Sequence, residues 1–159
     1  TLAEESNLHF HEIPRFAPEC FSYVQCIGTE KFKRFREGLD QLLKEGLAQP
    51  FEIPSSVQRV PLLGAVGPLQ FEVLQYRLEG EYGAPCRIES SPWNCVRWVK
   101  AKDGSAITEQ PPLQVPSGGV IARDIVGQWV VFLSDAWLMK LLESRNEDYE
   151  FLSQPPSLR

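Results

Sequence analysis

The spacing of apolar residues along the chain changes between two periods, and these changes predict where strands give way to helices. Phe21, Tyr23 and Gln25 alternate with Ser22 and Val24, as in a half-buried strand. Further on, apolar residues are spaced by three, four, three and one positions, which places them on one face of a helix. These residues are Phe32, Phe35, Leu39, Leu42 and Leu43.

Capping and helix-breaking residues mark the ends of two predicted helices. Thr29 can cap the first helix, and Gly46 ends it. Gly83 ends the second helix. The inner face of that helix is marked by Phe71, Leu74, Leu78 and Tyr82.

Three more strands complete the order of the elements. Residues 48–53 and 60–66 are predicted to pair as a hairpin across the turn Pro54-Ser55-Ser56, and a further strand lies around residues 86–89. The resulting order, βαββαβ, is that of the split βαβ or ferredoxin-like sandwich. We therefore expect an α+β fold in which two helices cover one face of an antiparallel sheet.

The C-terminal part is predicted to extend this sandwich. Residues 93–100 form a strand that we expect to continue the sheet outward. The segment 102–117 has few large apolar side chains and contains Gly104, Pro111 and Pro116, so we expect an exposed, mobile loop.

Beyond the loop, the pattern predicts a hairpin, a helix and a short strand. The hairpin spans residues 120–124 and 128–133, and Ser134 or Asp135 caps the helix. Tyr149 to Leu152 form the last strand. The residues expected to face inward from the helix are Trp137, Leu138, Leu141 and Leu142.

Composition and boundaries divide the chain into four segments. Residues 1–14 form a closing strand that ends at Pro14, and they belong to a preceding domain. Residues 15–101 form the ferredoxin-like domain, 102–117 the loop, and 118–159 a hairpin and helix extension of the same domain. Because the chain starts at Thr1 rather than Met, we interpret it as an excised piece of a longer protein.

The distribution of charge limits the kinds of partner. The formal net charge of −5 disfavours a general nucleic-acid coat, since such binding depends on Lys and Arg neutralising phosphates. Lys31, Lys33, Arg34 and Arg36 nevertheless form a basic run on the first helix. They are candidate RNA contacts, or else a solvated helix face balanced by acidic neighbours.

A second candidate surface lies on the strand that carries two tryptophans. Arg97 and Lys100 flank Trp98, and Trp93 precedes them. Such a strand could stack bases and bind phosphates of single-stranded RNA. The alternative is that both tryptophans belong to the core.

Other candidate chemistry is weaker. Residues 64–67, Gly-Ala-Val-Gly, could cradle a phosphate, but the Lys and Ser or Thr of a P-loop are missing, and a tight packing turn is the alternative. His9 and His11, with Cys20 nearby in sequence, could belong to a metal site or a Cys/His nucleophile. No third metal ligand or orienting partner has a suitable spacing. No apolar stretch is long enough to span a membrane.

Four cysteines lie scattered, without a CxxC pair. Free buried thiols in a reducing compartment are the expected state, and disulfides are the alternative.

Two stretches resemble the release factor 3 family of translational GTPases. Residues 13–21 resemble its IP-x-FAPE-x-F pattern, and residues 64–82 resemble its GAVG-x-LQF-x-V…RL…EY pattern. Arg97-Trp98-Val99 is similar to its RWV strand. The sequence LQF at residues 69–71 differs from the G-x-GELHLE pattern of elongation factor G, which favours release factor 3.

The resemblance implies a function that the residues alone do not. It implies a preceding β-barrel, an attached GTPase domain with GTP and magnesium, and no catalytic residue or cofactor in this part. It further implies a cytoplasmic protein that promotes departure of a class-1 release factor from the ribosome. This part would contact small-subunit rRNA and protein and its own barrel and GTPase domains, with no membrane or DNA partner.

Two other classes of function remain open from the residues. One is a stand-alone ferredoxin-like module that binds a small ligand in a regulatory role. The other is a cysteine-dependent enzyme that uses Cys20 or Cys86, which would require a depressed thiol pKa.

Overall fold

The computed structural model describes residues 16–54 and 62–156. The predicted strand before Pro14, with His9 and His11, and the turn around Ser55 and Ser56 lie outside the described residues. The elements in chain order are β1 (Cys20–Cys26), a 3-10 turn (Thr29–Lys31), α1 (Phe32–Lys44), β2 (Gln49–Phe51), β3 (Leu62–Ala65), α2 (Pro68–Tyr82), β4 (Cys86–Ser90), β5 (Cys95–Ala101), β6 (Val120–Arg123), β7 (Trp129–Leu133), α3 (Trp137–Arg145) and β8 (Tyr149–Leu152).

The first half of the chain forms the predicted split βαβ sandwich. Its sheet has the order β2-β3-β1-β4, and every neighbouring pair is antiparallel. Both α1 and α2 pack on one face of this sheet, against residues that include Val24 and Leu63. The α+β class and the βαββαβ order are therefore confirmed.

Helix α1 packs through the apolar stripe that the sequence predicts, but the predictions for Phe32 and Thr29 at its start were wrong. Phe35, Leu39, Leu42 and Leu43 are buried. Phe32 is 50% exposed at the first position of the helix, directly after the 3-10 turn. Thr29 starts the 3-10 turn, and no side chain caps α1.

Helix α2 matches the prediction at its buried face and at its end. Phe71, Leu74 and Leu78 are buried. Pro68 occupies the start of the helix, where its missing N–H costs nothing. Gly83 ends the helix in the left-handed conformation, with φ +61°, which glycine adopts without strain.

Strand β5 belongs to a second sheet, and the expectation that it extends the first sheet is wrong. The second sheet has the order β6-β7-β5-β8 and is antiparallel throughout. The outer partner of β1 is β4, and β5 instead pairs with the fully buried β7. Since both faces of β5 carry buried residues, this strand needs cover on two sides.

The two sheets pack face to face, so the described fold has four layers. Phe21 and Phe51 from the first sheet meet Phe132 from the second, with ring centroids 4.8 Å and 5.1 Å from Phe132. At one edge, Glu52 and Arg123 join the sheets through two backbone hydrogen bonds of 2.9 Å and 2.8 Å. The order of layers is α1 and α2, first sheet, second sheet, α3.

The segment 102–117 is not exposed throughout, although Pro112, Gln114 and Ser117 in its second part remain exposed. Pro111 and Pro116 are buried, and Ile107, Leu113 and Val115 pack against the core around α3. The side chain of Asn146 holds the segment by accepting from the Gln114 N–H at 2.8 Å and donating to the Gln114 carbonyl at 3.0 Å. Small apolar residues between prolines thus cover the outer face of the second sheet.

Helix α3 begins near the predicted cap Asp135, but its N-cap residue is Ala136 and its buried face differs from the prediction. Asp135 Oδ1 accepts a hydrogen bond from the Trp137 N–H at 3.1 Å. Met139 and Leu142 are the buried residues of the helix. Trp137 is 66% exposed, because it occupies the first helical position and points away from the sheet.

Candidate functional site: the basic start of helix α1

The predicted basic run lies at the N-terminal end of α1. Lys33, Arg34 and Arg36 are exposed, and Lys31, the last residue of the 3-10 turn, is half-buried. The buried Phe35 fixes the rotation of the helix about its axis, so the residues on either side of it project to solvent. We call Lys33, Arg34 and Arg36 the α1 basic surface.

The cations lie at the N-terminus of α1, where the helix dipole favours negative charge. The first turn of α1 contains no acidic residue, and no side chain accepts from its first N–H groups. A helix N-terminus carries a partial positive charge, so cations there are unfavourable by about 0.3–1 kcal/mol each. Lys33 and Arg34 in the first turn and Arg36 in the next therefore place positive charge at the start of α1, after Glu30 of the 3-10 turn.

Apolar groups border the α1 basic surface. The guanidinium of Arg36 lies 5.9 Å from the centroid of the Phe32 ring, within cation–π range. Phe32 stacks on the buried Phe35 at 6.3 Å, and Ile27 is 47% exposed. The sequence pattern assigned Phe32 to the core; its place as the first helical residue is the signal that could have assigned it to the surface.

The cations of the α1 basic surface differ from those of the neighbouring helix in their partners. Arg77 of α2 is bonded to Glu45 at 2.8 Å and to Glu81 at 3.0 Å. Hydrogen bonding to Arg77 lowers the pKa of the Glu45 carboxyl. None of the ion pairs between residues that the structure describes uses Lys33, Arg34 or Arg36.

The second predicted surface, with Arg97 and Lys100 on β5, does not form a single patch. Arg97 and Lys100 are three residues apart on β5, and alternation puts side chains at that spacing on opposite faces of the sheet. Arg97 donates to the carbonyl of Val96 at 2.7 Å, and Lys100 lies opposite Glu150 of β8. The structure therefore does not bring these two cations together.

The tryptophans near these cations belong to the core. Trp98 is fully buried, and its Nε1–H donates to Asp124 Oδ2 at 3.0 Å. Trp93 stacks on Phe132 at 5.8 Å and donates to the Gly118 carbonyl at 2.9 Å. With these rings engaged, a base-stacking platform on β5 is not formed.

The glycine turn serves packing. A Cβ on Gly64 would lie 2.6 Å from Pro18 Cγ and 2.9 Å from Phe51 Cε2, so only glycine fits there. Gly67 has extended backbone before α2.

Two of the cysteines, Cys26 and Cys86, have a raised pKa, which disfavours the thiolate form. Cys20, Cys26, Cys86 and Cys95 are free thiols. Burial, with the Glu79 charge and Cys26 adding to it, raises the pKa of Cys86 to about 11. Burial and the Glu30 charge also raise the pKa of Cys26. Reactive cysteines have depressed values, so this environment disfavours a cysteine enzyme at Cys86.

Metal and small-ligand chemistry find little support in the described part of the chain. Within residues 16–54 and 62–156, no group of three His, Cys, Asp or Glu could hold a metal ion. A shallow groove of about 500 Å³ beside β5 and β8 is lined by residues that include Asp103, Glu147 and Asp148. It would repel an anionic ligand.

Among the described residues, no helix is long and apolar enough to cross a membrane.

The chain is similar to known proteins over almost its whole length. The family model described as "Class II release factor RF3, C-terminal domain" matches residues 10–143. A protein named peptide chain release factor 3 from Acaryochloris marina is 33% identical over 156 residues, which are 98% of this chain and 28% of the relative. The protein of the same name from Synechococcus elongatus is 34% identical, with 98% and 27% of the two chains covered. The chain thus spans little more than a quarter of the length of these relatives.

Proposed function

This chain belongs to the class II release factor RF3 family, as its C-terminal domain, and on that premise we propose that it is a ribosome-contacting and coupling domain of a termination factor. In this proposal the α1 basic surface binds phosphates of small-subunit rRNA. The domain works in the cytoplasm, where the full-length protein uses GTP and magnesium to promote departure of a class-1 release factor.

One observation carries the assignment of the contact to α1. Lys33, Arg34 and Arg36 are exposed, have no ion-pair partner among the described residues, and sit at an uncapped helix start where cations lower helix stability. A phosphate would relieve this repulsion and pair with the side chains. Arg97 and Lys100 remain secondary candidates, each as a single contact.

The four-layer core supports a coupling role. The aromatic cluster of Phe21, Phe51 and Phe132 joins the two sheets, and the Glu52–Arg123 bridge closes one edge. A closely packed body of this kind transmits force as a unit. Contacts that differ between two ribosome-bound orientations would then shift the equilibrium between them.

The nucleotide chemistry is assigned to other domains of the full-length protein. Gly64 packs closely against Pro18 and Phe51. The positions at which a P-loop has its Lys and Ser or Thr are held by Pro68, Leu69 and Gln70. In the proposal this domain therefore holds no catalytic residue, cofactor or metal. It contacts its own barrel and GTPase domains and affects the class-1 factor indirectly.

The test is co-sedimentation of the chain with 70S ribosomes and isolated small subunits. A variant with Lys33→Glu, Arg34→Glu and Arg36→Glu is expected to bind on the order of 100-fold more weakly, at about 1 kcal/mol for each lost solvent-exposed contact with phosphate. The matched control carries Lys102→Glu, Lys140→Glu and Arg145→Glu, three exposed cations outside α1, and should bind as the parent does.

A stability measurement separates a binding role from a structural one. Glutamate at the start of α1 is expected to raise the free energy of unfolding, because an acid there favours the helix dipole. Weaker ribosome binding together with unchanged or higher stability supports the proposal. Equal loss of binding in both charge-reversed variants would contradict it.

A further inference from the structure

Two cysteines face each other across the first sheet. Cys26 is the last residue of β1 and pairs in register with Cys86, the first residue of β4. The Ile27 N–H donates to the Pro85 carbonyl at 3.0 Å, which makes the next pair along the strands a hydrogen-bonded one. Hydrogen-bonded and non-hydrogen-bonded pairs alternate in an antiparallel ladder, so Cys26 and Cys86 form a non-hydrogen-bonded pair.

This register suits a bond between the two sulfurs. Non-hydrogen-bonded partners have Cα atoms about 4.5 Å apart, and their side chains approach more closely than at other positions. Disulfides span Cα separations of roughly 4.4–6.8 Å. Neither strand has to move far for the two thiols to meet.

The side chains lie on the same face of the sheet and differ in access. Both belong to the core under α1 and α2, where Cys86 is 2% exposed and Cys26 is partly buried. Cys26 Sγ–H donates to the Gly28 carbonyl at 3.4 Å. The electrostatic effect of Cys26 on the Cys86 pKa is consistent with neighbouring sulfurs.

We propose that Cys26 and Cys86 form a reversible modification site that becomes a cross-strand disulfide on exposure to a low-molecular-weight disulfide such as oxidised glutathione. The Cys26 thiolate attacks one glutathione sulfur, and reduced glutathione leaves. The Cys86 thiolate then attacks the Cys26 sulfur of the mixed disulfide and releases the second glutathione. Two electrons pass from the protein thiols to the glutathione disulfide, and the two thiol protons end on the released glutathione thiols.

The modification has a local structural consequence. Forming the disulfide removes the S–H that donates to the Gly28 carbonyl. Gly28, with φ +88°, leads directly into the 3-10 turn and α1. Oxidation therefore alters the connection that positions the start of α1, while the existence of the disulfide does not depend on the proposed ribosome contact.

The test uses a chain with Cys20→Ser and Cys95→Ser, in which Cys26 and Cys86 are the remaining cysteines. The folded protein is equilibrated, from the reduced and from the oxidised side, in a series of reduced and oxidised glutathione ratios. Free thiols are then blocked with N-ethylmaleimide, and peptides are mapped by mass spectrometry. Circular dichroism establishes that the protein is folded during the exchange.

In oxidised glutathione alone, more than about half of the molecules are expected to lose two hydrogens and yield a Cys26–Cys86 peptide pair that dithiothreitol separates. Adding Cys26→Ser should abolish this product. A stable glutathione adduct on Cys26 with Cys86 free, two free thiols at equilibrium from both directions, or a link that forms only in urea would each overturn the proposal.

Discussion

The start of α1 and the strand β5 both carry cations beside aromatic residues, yet they present them in opposite ways. On α1, Arg36 lies over a half-exposed Phe32 and shares its end of the helix with Lys33. On β5, Arg97 and Lys100 lie on opposite faces, and Trp98 between them is fully buried. A spacing of three residues brings charges together on a helix and separates them on a strand.

The type of secondary structure, rather than the local composition, decides whether basic and aromatic residues that are close in sequence lie together on the protein surface. The α1 stretch has one buried face and one solvent face. The β5 stretch lies between two packed layers, so its aromatic residues stabilise the core. Variants at matched positions in the two regions test whether their side chains lie in different environments.

The largest difference is expected between the two aromatic residues. Trp98→Ala should lower the free energy of unfolding by about 3–5 kcal/mol, because it leaves a core cavity and removes the hydrogen bond to Asp124 Oδ2. Phe32→Ala should cost about 1 kcal/mol, since half of the ring is exposed already. Urea denaturation measures both changes, and equal losses would contradict the assignment of the rings to different environments.

A smaller effect tests whether a close fit against α2 sets the position of α1. A Cβ on Gly38 would lie 2.6 Å from Tyr82 Cγ and 2.9 Å from Leu78 Cδ2. Gly38→Ala should therefore destabilise the protein by about 1–3 kcal/mol through overpacking. Gly80→Ala is the control within α2, where no atom lies within 4 Å of the added Cβ, and it should stabilise by about 0.5–1 kcal/mol. Stabilisation by both changes would mean that α1 is free to shift.

The smallest expected effect is the pH dependence of the stability that the ion pair between Arg77 and Glu45 contributes. Because the folded-state pKa of Glu45 is lowered from 4.5, this pair stabilises the fold above that pH and loses its effect as pH falls through the lowered value. Glu45→Gln should slightly reduce the melting temperature at pH 7, and the difference should disappear as the pH falls through the lowered pKa of Glu45. A difference that persists at low pH would show that packing, and not charge, was lost.

The first sheet was predictable because its signals are local. Helical spacing, glycine ends and alternating strands each fixed one element, and the βαββαβ order limits the topology to few choices. The partner of β5 was not predictable in this way. Val96, Trp98 and Val99 indicate a strand covered on both sides, but nothing in their spacing tells which sheet provides the cover.

The candidate site was predictable in part. The exposed cations of α1 follow from the buried stripe that includes Phe35 and Leu39. The environments of Phe32 and Trp137 were assigned wrongly, because each is the first residue of its helix, where the apolar spacing alone does not determine burial. The anchoring of residues 102–117 by Asn146 depends on a contact across 32 positions of sequence, which no local pattern records.

The salt dependence of ribosome binding shows whether the α1 basic surface pairs with rRNA phosphates. Association constants are measured across a range of salt for the parent chain, for Lys33→Gln/Arg34→Gln/Arg36→Gln, and for Arg97→Gln/Lys100→Gln. If the α1 basic surface pairs with rRNA phosphates, neutralising its three cations should reduce the slope of log K against log[salt] by about 2–3, and the β5 variant should keep the parental slope. An unchanged slope in the α1 variant, or an equal reduction in both, would contradict the account.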